Sequence, residues 1–312
     1  MKRFLAAVGV CMLTALPAQA EQFVTVLTGG TSGVYYPLGV ALSGIYGKAI
    51  PGAKVTVQAT KASVENLNLL QTGRGEIAFS LGDSLSGAWK GDEEAGFKTK
   101  LTKLRTVAAI YPNYIQIVAS KDSGVKTLAD LKGKRVSVGA PKSGTELNAR
   151  AIFAAAGLGY KDFSKTEYLP FAESVDLIKN RQLDATLISA GLGVAAIKDL
   201  ATSQEITIVS IPADVIQKVG DPAYIAETIP ANSYTGQGEA VPTAAVRNLL
   251  VTHSDVSDDA VYAMTKAMFE NLDAMSAAHA AAKQIKLDAT AIQSPVPLHP
   301  GAEKFYKEKG LM

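Results

Sequence analysis

Short apolar runs alternate with helix-like segments along almost the whole chain, and this alternation constrains the fold more than any other feature. Strand-like runs occur at residues 23–27, 55–57, 77–79, 105–111, 114–119, 135–138, 185–188, 206–211 and 246–252. Helix-like segments occur at residues 37–48, 64–71, 145–156 and 174–180, and residues 255–279 predict one long helical segment. Strands that alternate with helices of this size predict an α/β fold with mostly parallel sheets.

Two stretches have the pattern of chain crossings between two lobes. Residues 110–120 join two strand-like runs at a Pro-Asn pair, and residues 236–254 lead from a polar, glycine-rich stretch into a strand. The segment between them forms a self-contained block of strands and helices. We therefore expect two discontinuous lobes joined by hinge strands: residues 21–118 plus 240–312 as lobe 1, and residues 119–239 as lobe 2.

The first twenty residues have the pattern of a secretory signal peptide. Lys2 and Arg3 precede an apolar run from Phe4 to Leu16, and the sequence Ala-Gln-Ala at residues 18–20 has the small-x-small form of a signal-peptidase site. The apolar run is shorter than the roughly 20 residues that span a bilayer. We expect cleavage after Ala20 and a periplasmic mature chain.

Charge and cysteine content exclude several function classes. The chain has 31 basic and 29 acidic residues, and both extra basic residues, Lys2 and Arg3, lie in the expected signal peptide. The mature chain is therefore formally neutral and has no basic field that would attract nucleic acid or an anionic membrane. The single cysteine, Cys11, also lies in that peptide. Neither disulfides nor a thiol nucleophile is expected.

A glycine- and hydroxyl-rich turn, TGGTSGVYYPLG, follows the first strand at residues 28–39. A turn of this kind between a strand and a helix lets backbone N–H groups approach an anion at the positive end of the helix. The nucleotide P-loop pattern is absent, which indicates a smaller ligand. Because adjacent side chains diverge, only one of Tyr35 and Tyr36 is expected to line the site. The alternative is that both tyrosines are core residues.

A second turn of the same kind, GAPKSGTELNAR, follows another strand at residues 139–150. Open α/β sheets bind ligands beyond the carboxyl ends of their strands, so the two turns are expected to face each other across a cleft. Two readings of this turn remain open, because Ser143 and Glu146 also form a capping box that needs no ligand. Ser63 in KASVEN is likewise either a simple N-cap or a third side of the site.

The sequence Gly-Asp-Ser-Leu at residues 82–85 matches the signature of GDSL esterases, with Ser84 as the nucleophile. Those enzymes take their base from a later Asp-x-x-His, and none of the three histidines here has an acidic residue three positions before it. A serine without its base is a weak nucleophile. The histidines are far apart in sequence and there is no calcium-loop pattern, so no metal or cofactor is expected.

Six segments together resemble the TAXI family of solute receptors for TRAP transporters. They are TGGTSGVYYPLG, SVENLNLLQTG, DLKGKRVSVGAPKSGT, TIPANSYTGQGEAVPT, FENLDAMSAAHAAAK and PLHPGAEKFYKEKG. The match runs in order through almost the whole mature chain, from about residue 23 to residue 311. The resemblance implies a two-lobed periplasmic-binding-protein type II fold without catalytic activity. It also implies delivery of a small organic acid, such as glutamate or 2-oxoglutarate, to integral membrane TRAP permease subunits driven by an ion gradient.

The resemblance also implies the ligand contacts. They are Thr31, Ser32, Gly33, Tyr35, Ser63, Asp83, Ser84, Ser143, Gly144, Thr145, Ser189 and Gly191. Two departures from the family pattern bear on ligand choice: Lys142 stands where the family commonly has glycine, and the SLGD sequence replaces a more usual form. We expect a monomer. A binding protein of a binding-cassette importer and an exported esterase using Ser84 remain as alternative functions.

Overall fold

Ten strands and ten α-helices alternate in the computed structural model, which describes residues 22–312. The strands are β1 (Gln22–Leu27), β2 (Ala53–Gln58), β3 (Ile77–Leu81), β4 (Leu104–Ser120), β5 (Arg135–Ser137), β6 (Lys165–Glu167), β7 (Ala185–Ala190), β8 (Ile206–Val209), β9 (Tyr224–Ile229) and β10 (Val241–His253). The helices are α1 (Tyr35–Ala49), α2 (Ser63–Gln71), α3 (Gly82–Lys90), α4 (Gly144–Ala155), α5 (Phe171–Lys179), α6 (Ala195–Ser203), α7 (Ala213–Val219), α8 (Asp258–Glu270), α9 (Leu272–Ala278) and α10 (Pro300–Glu308). The expected signal peptide lies outside the described residues.

The strands form one sheet in the order β2-β1-β3-β10-β4-β7-β5-β6, with β8 paired to β4 and β9 paired to β10. Pairs among β1, β2 and β3 and among β5, β6 and β7 are parallel, whereas every pair that includes β4 or β10 is antiparallel. The two longest strands therefore pass through both parallel units. We call β1–β3 with α1–α3 and α8–α10 lobe 1, β5–β9 with α4–α7 lobe 2, and β4 and β10 the hinge strands.

The first hinge strand is continuous where the sequence indicated two runs. β4 extends through Pro112, which pairs with Arg247 of β10. Proline has no N–H to donate to a ladder and is tolerated at bulges. The register of β10 against β4 shifts directly after Arg247, so the proline is accommodated by an irregular ladder rather than by ending the strand.

The long helical segment expected at residues 255–279 is two helices. α8 ends at Glu270 and α9 begins at Leu272, with Asn271 between them in a non-helical conformation (φ −128°, ψ 34°). Asparagine favours helix ends because its side chain competes for backbone hydrogen bonds. Here the Asn271 amide donates to the Ala267 carbonyl at 2.8 Å, and the prediction of one helix was wrong for this reason.

The position of each strand in the sheet explains its pattern of buried and exposed residues. β3 lies inside the sheet and all five of its residues are buried, whereas the edge strand β2 alternates between half-buried and exposed positions. Continuous apolar strands are typical of sheets covered on both faces. The carboxyl ends of β1, β3, β5 and β7 precede helices in both lobes, and this edge of the sheet holds the turns singled out in the sequence.

Candidate functional site

The two glycine- and hydroxyl-rich turns meet at one cavity between the lobes. The cavity encloses about 110 Å³, which is small beside the ~300–1,000 Å³ of sites for drug-sized ligands and suits a small metabolite. Its wall is formed by Gly29, Gly30, Gly33, Val34, Tyr35, Thr60, Lys61, Ala62, Ser63, Leu81, Asn113, Ala140, Ser143, Gly144, Thr145, Pro170, Phe171, Ser189 and Ala190.

Four helices begin at this cavity, two from each lobe. In lobe 1, α1 begins at Tyr35 and α2 at Ser63; in lobe 2, α4 begins at Gly144 and α5 at Phe171. The N-terminus of a helix carries partial positive charge and unpaired N–H groups, which favour an anion by ~0.3–1 kcal/mol each. Four such termini around one small cavity make it favourable for a negatively charged group.

Several hydrogen-bond donors in the cavity wall have no partner. The amides of the buried residues Gly144 and Thr145 donate no hydrogen bond within residues 22–312. The Ser189 hydroxyl, on a residue only 4% exposed, also lacks a partner in the described chain. A buried polar group left unpaired is destabilising by ~1–3 kcal/mol. Their position in the wall leaves these three donors available to a molecule in the cavity.

The wall carries almost no charge of its own. Lys61, which is exposed, is the only charged residue of the wall in the described part of the chain. The carboxylate of Glu146, in the first turn of α4, accepts hydrogen bonds from Arg150 Nη2 at 2.8 and 2.9 Å and from the Tyr160 hydroxyl at 2.9 Å. The charge of Glu146 is therefore paired and does not oppose an anion in the cavity. These three residues line a separate surface groove together with Lys142, which we call the outer groove.

A chain of buried hydrogen bonds connects the cavity to the hinge strands. The Tyr35 hydroxyl donates to Asn248 Oδ1 on β10, and Asn248 Nδ2 donates to Asn113 Oδ1 on β4 at 2.7 Å. Asn113 Nδ2 in turn donates to the Ser189 carbonyl at 3.0 Å. Burial raises the pKa of Tyr35, so its hydroxyl stays a neutral donor. Three residues of the cavity wall, Tyr35, Asn113 and Ser189, are therefore connected to the hinge strands by hydrogen bonds.

Asp83 joins the lobes outside the cavity. Its Oδ2 atom, at the start of α3 in lobe 1, accepts hydrogen bonds from Asn148 Nδ2 of α4 and from the Tyr224 hydroxyl of β9, both at 2.7 Å. Burial raises the pKa of Asp83 to about 6, hydrogen bonds from Tyr224 and Ser84 oppose the rise, and the charge of Asp221 adds to it. We call Asp83, Asn148 and Tyr224 the Asp83 latch.

Backbone contacts between the lobes show that they are closed against each other. The Glu65 N–H donates to the Lys142 carbonyl at 3.3 Å, and the Ala196 N–H donates to the Ser32 carbonyl at 3.4 Å. At Gly144 the approach is so close that a Cβ atom would lie 2.6 Å from Ser63 Oγ. Glycine is therefore required where α4 meets lobe 1.

The described structure argues against Ser84 as an esterase nucleophile. Ser84 is fully buried, and its hydroxyl contacts Asp83 Oδ1 at 3.4 Å. Nδ1 of His279 accepts the Ala281 N–H, and the ring of His299 bonds to backbone groups of its own surroundings. No hydrogen bond joins a histidine to Ser84 in the described part of the chain, so the serine lacks both a base and access to substrate.

Seven of the sequence-predicted contact residues line the cavity: Gly33, Tyr35, Ser63, Ser143, Gly144, Thr145 and Ser189. Tyr36 does not, as expected from the divergence of adjacent side chains. Their contact with a ligand stays a prediction, and Ser143 also caps α4, since its hydroxyl accepts the Glu146 N–H at 3.1 Å. Ser63 does not cap α2; its hydroxyl accepts the Leu81 N–H at 3.1 Å.

Five other predicted contact residues lie outside the cavity wall: Thr31, Ser32, Asp83, Ser84 and Gly191. Thr31 is exposed, and the Ser32 carbonyl contacts lobe 2 through Ala196. A Cβ on Gly191 would lie 2.7 Å from Ala281 Cβ, so this glycine allows close packing behind the cavity. Direct ligand contact by these five residues remains untested.

Sequence reasoning missed several residues of the wall. Asn113 directly follows the proline of the first hinge strand. Its position in the predicted crossing between the lobes was the only sequence signal for it. Pro170 and Phe171 begin α5 three residues before the predicted start of that helix, although a proline directly before a helix is a recognised start signal. Lys61 lay in the KASVEN segment but was not singled out.

None of the helices in residues 22–312 is both long and apolar enough to cross a membrane. No group of three or more His, Cys, Asp or Glu side chains in the same residues could hold a metal ion.

Solved structures with this fold are solute-binding proteins of low sequence identity. PhnD1 from Prochlorococcus marinus, in complex with methylphosphonate, has a TM-score of 0.60 at 12% identity, over 94% of this chain and 100% of that chain. A binding protein component of an ABC phosphonate transporter from Pseudomonas aeruginosa has a TM-score of 0.52 at 14% identity, over 85% and 80% of the two chains. The alkanesulfonate-binding protein SsuA from Xanthomonas axonopodis pv. citri, bound to MOPS, has a TM-score of 0.50 at 14% identity, over 91% and 83%.

These likenesses confirm the two-lobed α/β periplasmic-binding-protein fold that the sequence predicted. A family model matches nearly the whole described chain. On this match, over residues 26–310, the chain belongs to the NMT1-like family.

Proposed function

We propose that this protein is a solute-binding receptor without catalytic activity, which captures a small organic acid by closure of its two lobes and delivers it to a membrane permease. The observation that carries the proposal is the cavity at which four helices begin, two from each lobe, with the unpaired amides of Gly144 and Thr145 and the unpaired Ser189 hydroxyl in its wall. A ligand held there touches both lobes, and it stabilises the closed form in proportion to its preference for that form.

The energetics favour recognition by several neutral donors at once. Micromolar binding requires about 8 kcal/mol, whereas one helix terminus supplies ~0.3–1 kcal/mol towards an anion. Four termini alone fall short of that value. The remaining free energy has to come from hydrogen bonds made in a closed cavity, where the lower dielectric strengthens them.

The resemblance of the sequence to TAXI receptors favours a dicarboxylate such as glutamate or 2-oxoglutarate as the ligand and TRAP permease subunits as the partner. The likeness of the fold to phosphonate- and sulfonate-binding proteins favours a second candidate, a receptor for an ABC importer. Both candidates share one mechanism of capture. They differ in the permease and in whether an ion gradient or ATP drives transport.

We propose that the chain is exported to the periplasm, with cleavage after Ala20, and acts as a monomer. We also propose lobe boundaries at 118/119 and 239/240, in or next to the two hinge strands. Mass spectrometry of the secreted protein tests the cleavage site, and light scattering tests the oligomeric state.

A thermal-shift screen of the mature protein tests the function. The panel contains mono- and dicarboxylates, amino acids, sulfonates and phosphonates. A ligand at 100 times its dissociation constant is expected to raise the free energy of unfolding by about 2.7 kcal/mol, and small-angle scattering is expected to show a more compact protein. Absence of stabilisation by every acid in the panel would contradict the proposal. Reconstitution with the candidate permeases then separates TRAP from ABC transport.

A further inference from the structure

We infer that Lys61 is a specificity-determining residue that binds the second acid group of a dicarboxylate at the mouth of the cavity. This inference rests on the proposed function and extends it: one acid group occupies the buried end, where all donors are neutral, and the other pairs with the Lys61 ammonium.

The cavity has two chemically different ends. Ser63, Gly144, Thr145 and Ser189 are buried and carry only uncharged polar groups. Lys61 is exposed and belongs to the same wall, so its side chain marks the side that faces solvent. A ligand with a single acid group needs only the buried end. A ligand with two acid groups has a cation available for the second one.

The ammonium of Lys61 has no structural role in the described chain. No ion pair or ring contact engages it within residues 22–312, and Glu65, four residues further along, accepts the backbone N–H of Lys61 at 2.6 Å rather than its side chain. Other lysines of the described chain are held in ion pairs, as Lys103 is with Asp255 at 2.7 Å. An unpaired cation in the wall of an otherwise neutral cavity is therefore available to a ligand.

Lys142 provides the matched comparison. It is also exposed and lies beside the Ser143 turn, but it lines the outer groove and not the cavity. If general attraction of anions to a positive surface caused a preference for ligands with two acid groups, both lysines would contribute to that preference. If the cavity geometry is the cause, only Lys61 contributes.

Calorimetric titration of the mature protein with L-glutamate and L-glutamine tests the inference, because the two probes differ only in a terminal carboxylate against an amide. We expect wild-type protein to bind glutamate about three- to fivefold more tightly, the range of a partly exposed ion pair. We expect Lys61→Gln to remove this preference by weakening glutamate alone, and Lys142→Gln to retain it. The preference should fall as salt rises.

Each other outcome counts against the inference. Retention of the preference in Lys61→Gln, or equal binding of the two probes by wild-type protein, overturns it. Binding of monocarboxylates but of neither L-glutamate nor 2-oxoglutarate overturns it and leaves the receptor function standing. Only a failure to bind any acid of the screening panel overturns both.

Discussion

Replacement of Asp83 by asparagine is expected to abolish a pH dependence of ligand binding that the wild-type receptor shows. In the closed lobes the Asp83 carboxylate is surrounded by protein and accepts hydrogen bonds from Asn148 and Tyr224. We expect separation of the lobes to remove these two partners, which belong to lobe 2, and to expose the carboxylate to water. Asparagine at position 83 keeps the size and an accepting oxygen but does not titrate.

The magnitude follows from the shift of one pKa. Burial raises the pKa of Asp83 from 3.8 to about 6 in the closed form, a difference worth about 3 kcal/mol at 1.36 kcal/mol per unit. Because the closed-state pKa is raised, the protonated form favours closure. This contribution is fully present below pH 3.8 and is lost as the pH rises through about 6. From pH 7 to pH 5 the closing constant is therefore expected to rise about tenfold.

Titration calorimetry at pH 7, 6 and 5 measures this effect with a ligand found in the screen whose own ionisation is constant over that range. The wild-type protein should bind about tenfold more tightly at pH 5 than at pH 7, and Asp83→Asn should show a flat profile. An equal slope in both proteins would refute the assignment to Asp83. Weaker wild-type binding at pH 5 than at pH 7, with a flat profile for the variant, would refute the sign.

Three further variants test the closed cavity. Gly144→Val places a Cβ against lobe 1, so we expect loss of the ligand-dependent stabilisation of about 2.7 kcal/mol at 100 times the dissociation constant, measured by thermal shift, in a protein that remains folded. Ser143→Ala and the control Ser257→Ala each remove an N-cap, so each should lower the free energy of unfolding in urea by ~0.5–2 kcal/mol. Only Ser143→Ala should weaken ligand binding. Tyr35→Phe leaves the buried Asn248 oxygen without its donor and should destabilise the protein by ~1–3 kcal/mol, and an unchanged urea midpoint would contradict the hydrogen-bond chain.

Local sequence patterns predicted the two turns of the candidate site, because each turn is built from consecutive residues. A strand, a glycine-rich turn and a helix start follow each other at residues 28–39 and again at residues 139–150. This order alone indicates that backbone amides collect at one edge of the sheet. Ser143 caps α4 and lies in the cavity wall, and its contact with a ligand stays a prediction. The expected capping box is only half formed, because the Glu146 carboxylate bonds to Arg150 and Tyr160 instead of to the Ser143 N–H.

Residues whose partners come from distant parts of the chain could not be predicted in the same way. Asp83 reads as part of an esterase signature, and only the folded chain brings Asn148 and Tyr224 to it. The sequence shows Glu146 only as the acidic partner of a capping box. Arg150 lies four residues later on the same helix and could have indicated the ion pair, but the Tyr160 hydroxyl that completes it comes from a separate turn.

The central sheet can be completed only by β10, which comes late in the chain. β10 pairs with β3 on one side and with β4 on the other, yet it is made of residues 241–253, long after both neighbours have been synthesised. Until it arrives, each neighbour presents an unsatisfied edge, and edges of that kind invite association with other chains. A polypeptide built in this way cannot complete its central sheet early. Late completion of the sheet would suit a protein that crosses a membrane as an extended polypeptide and folds only on the far side.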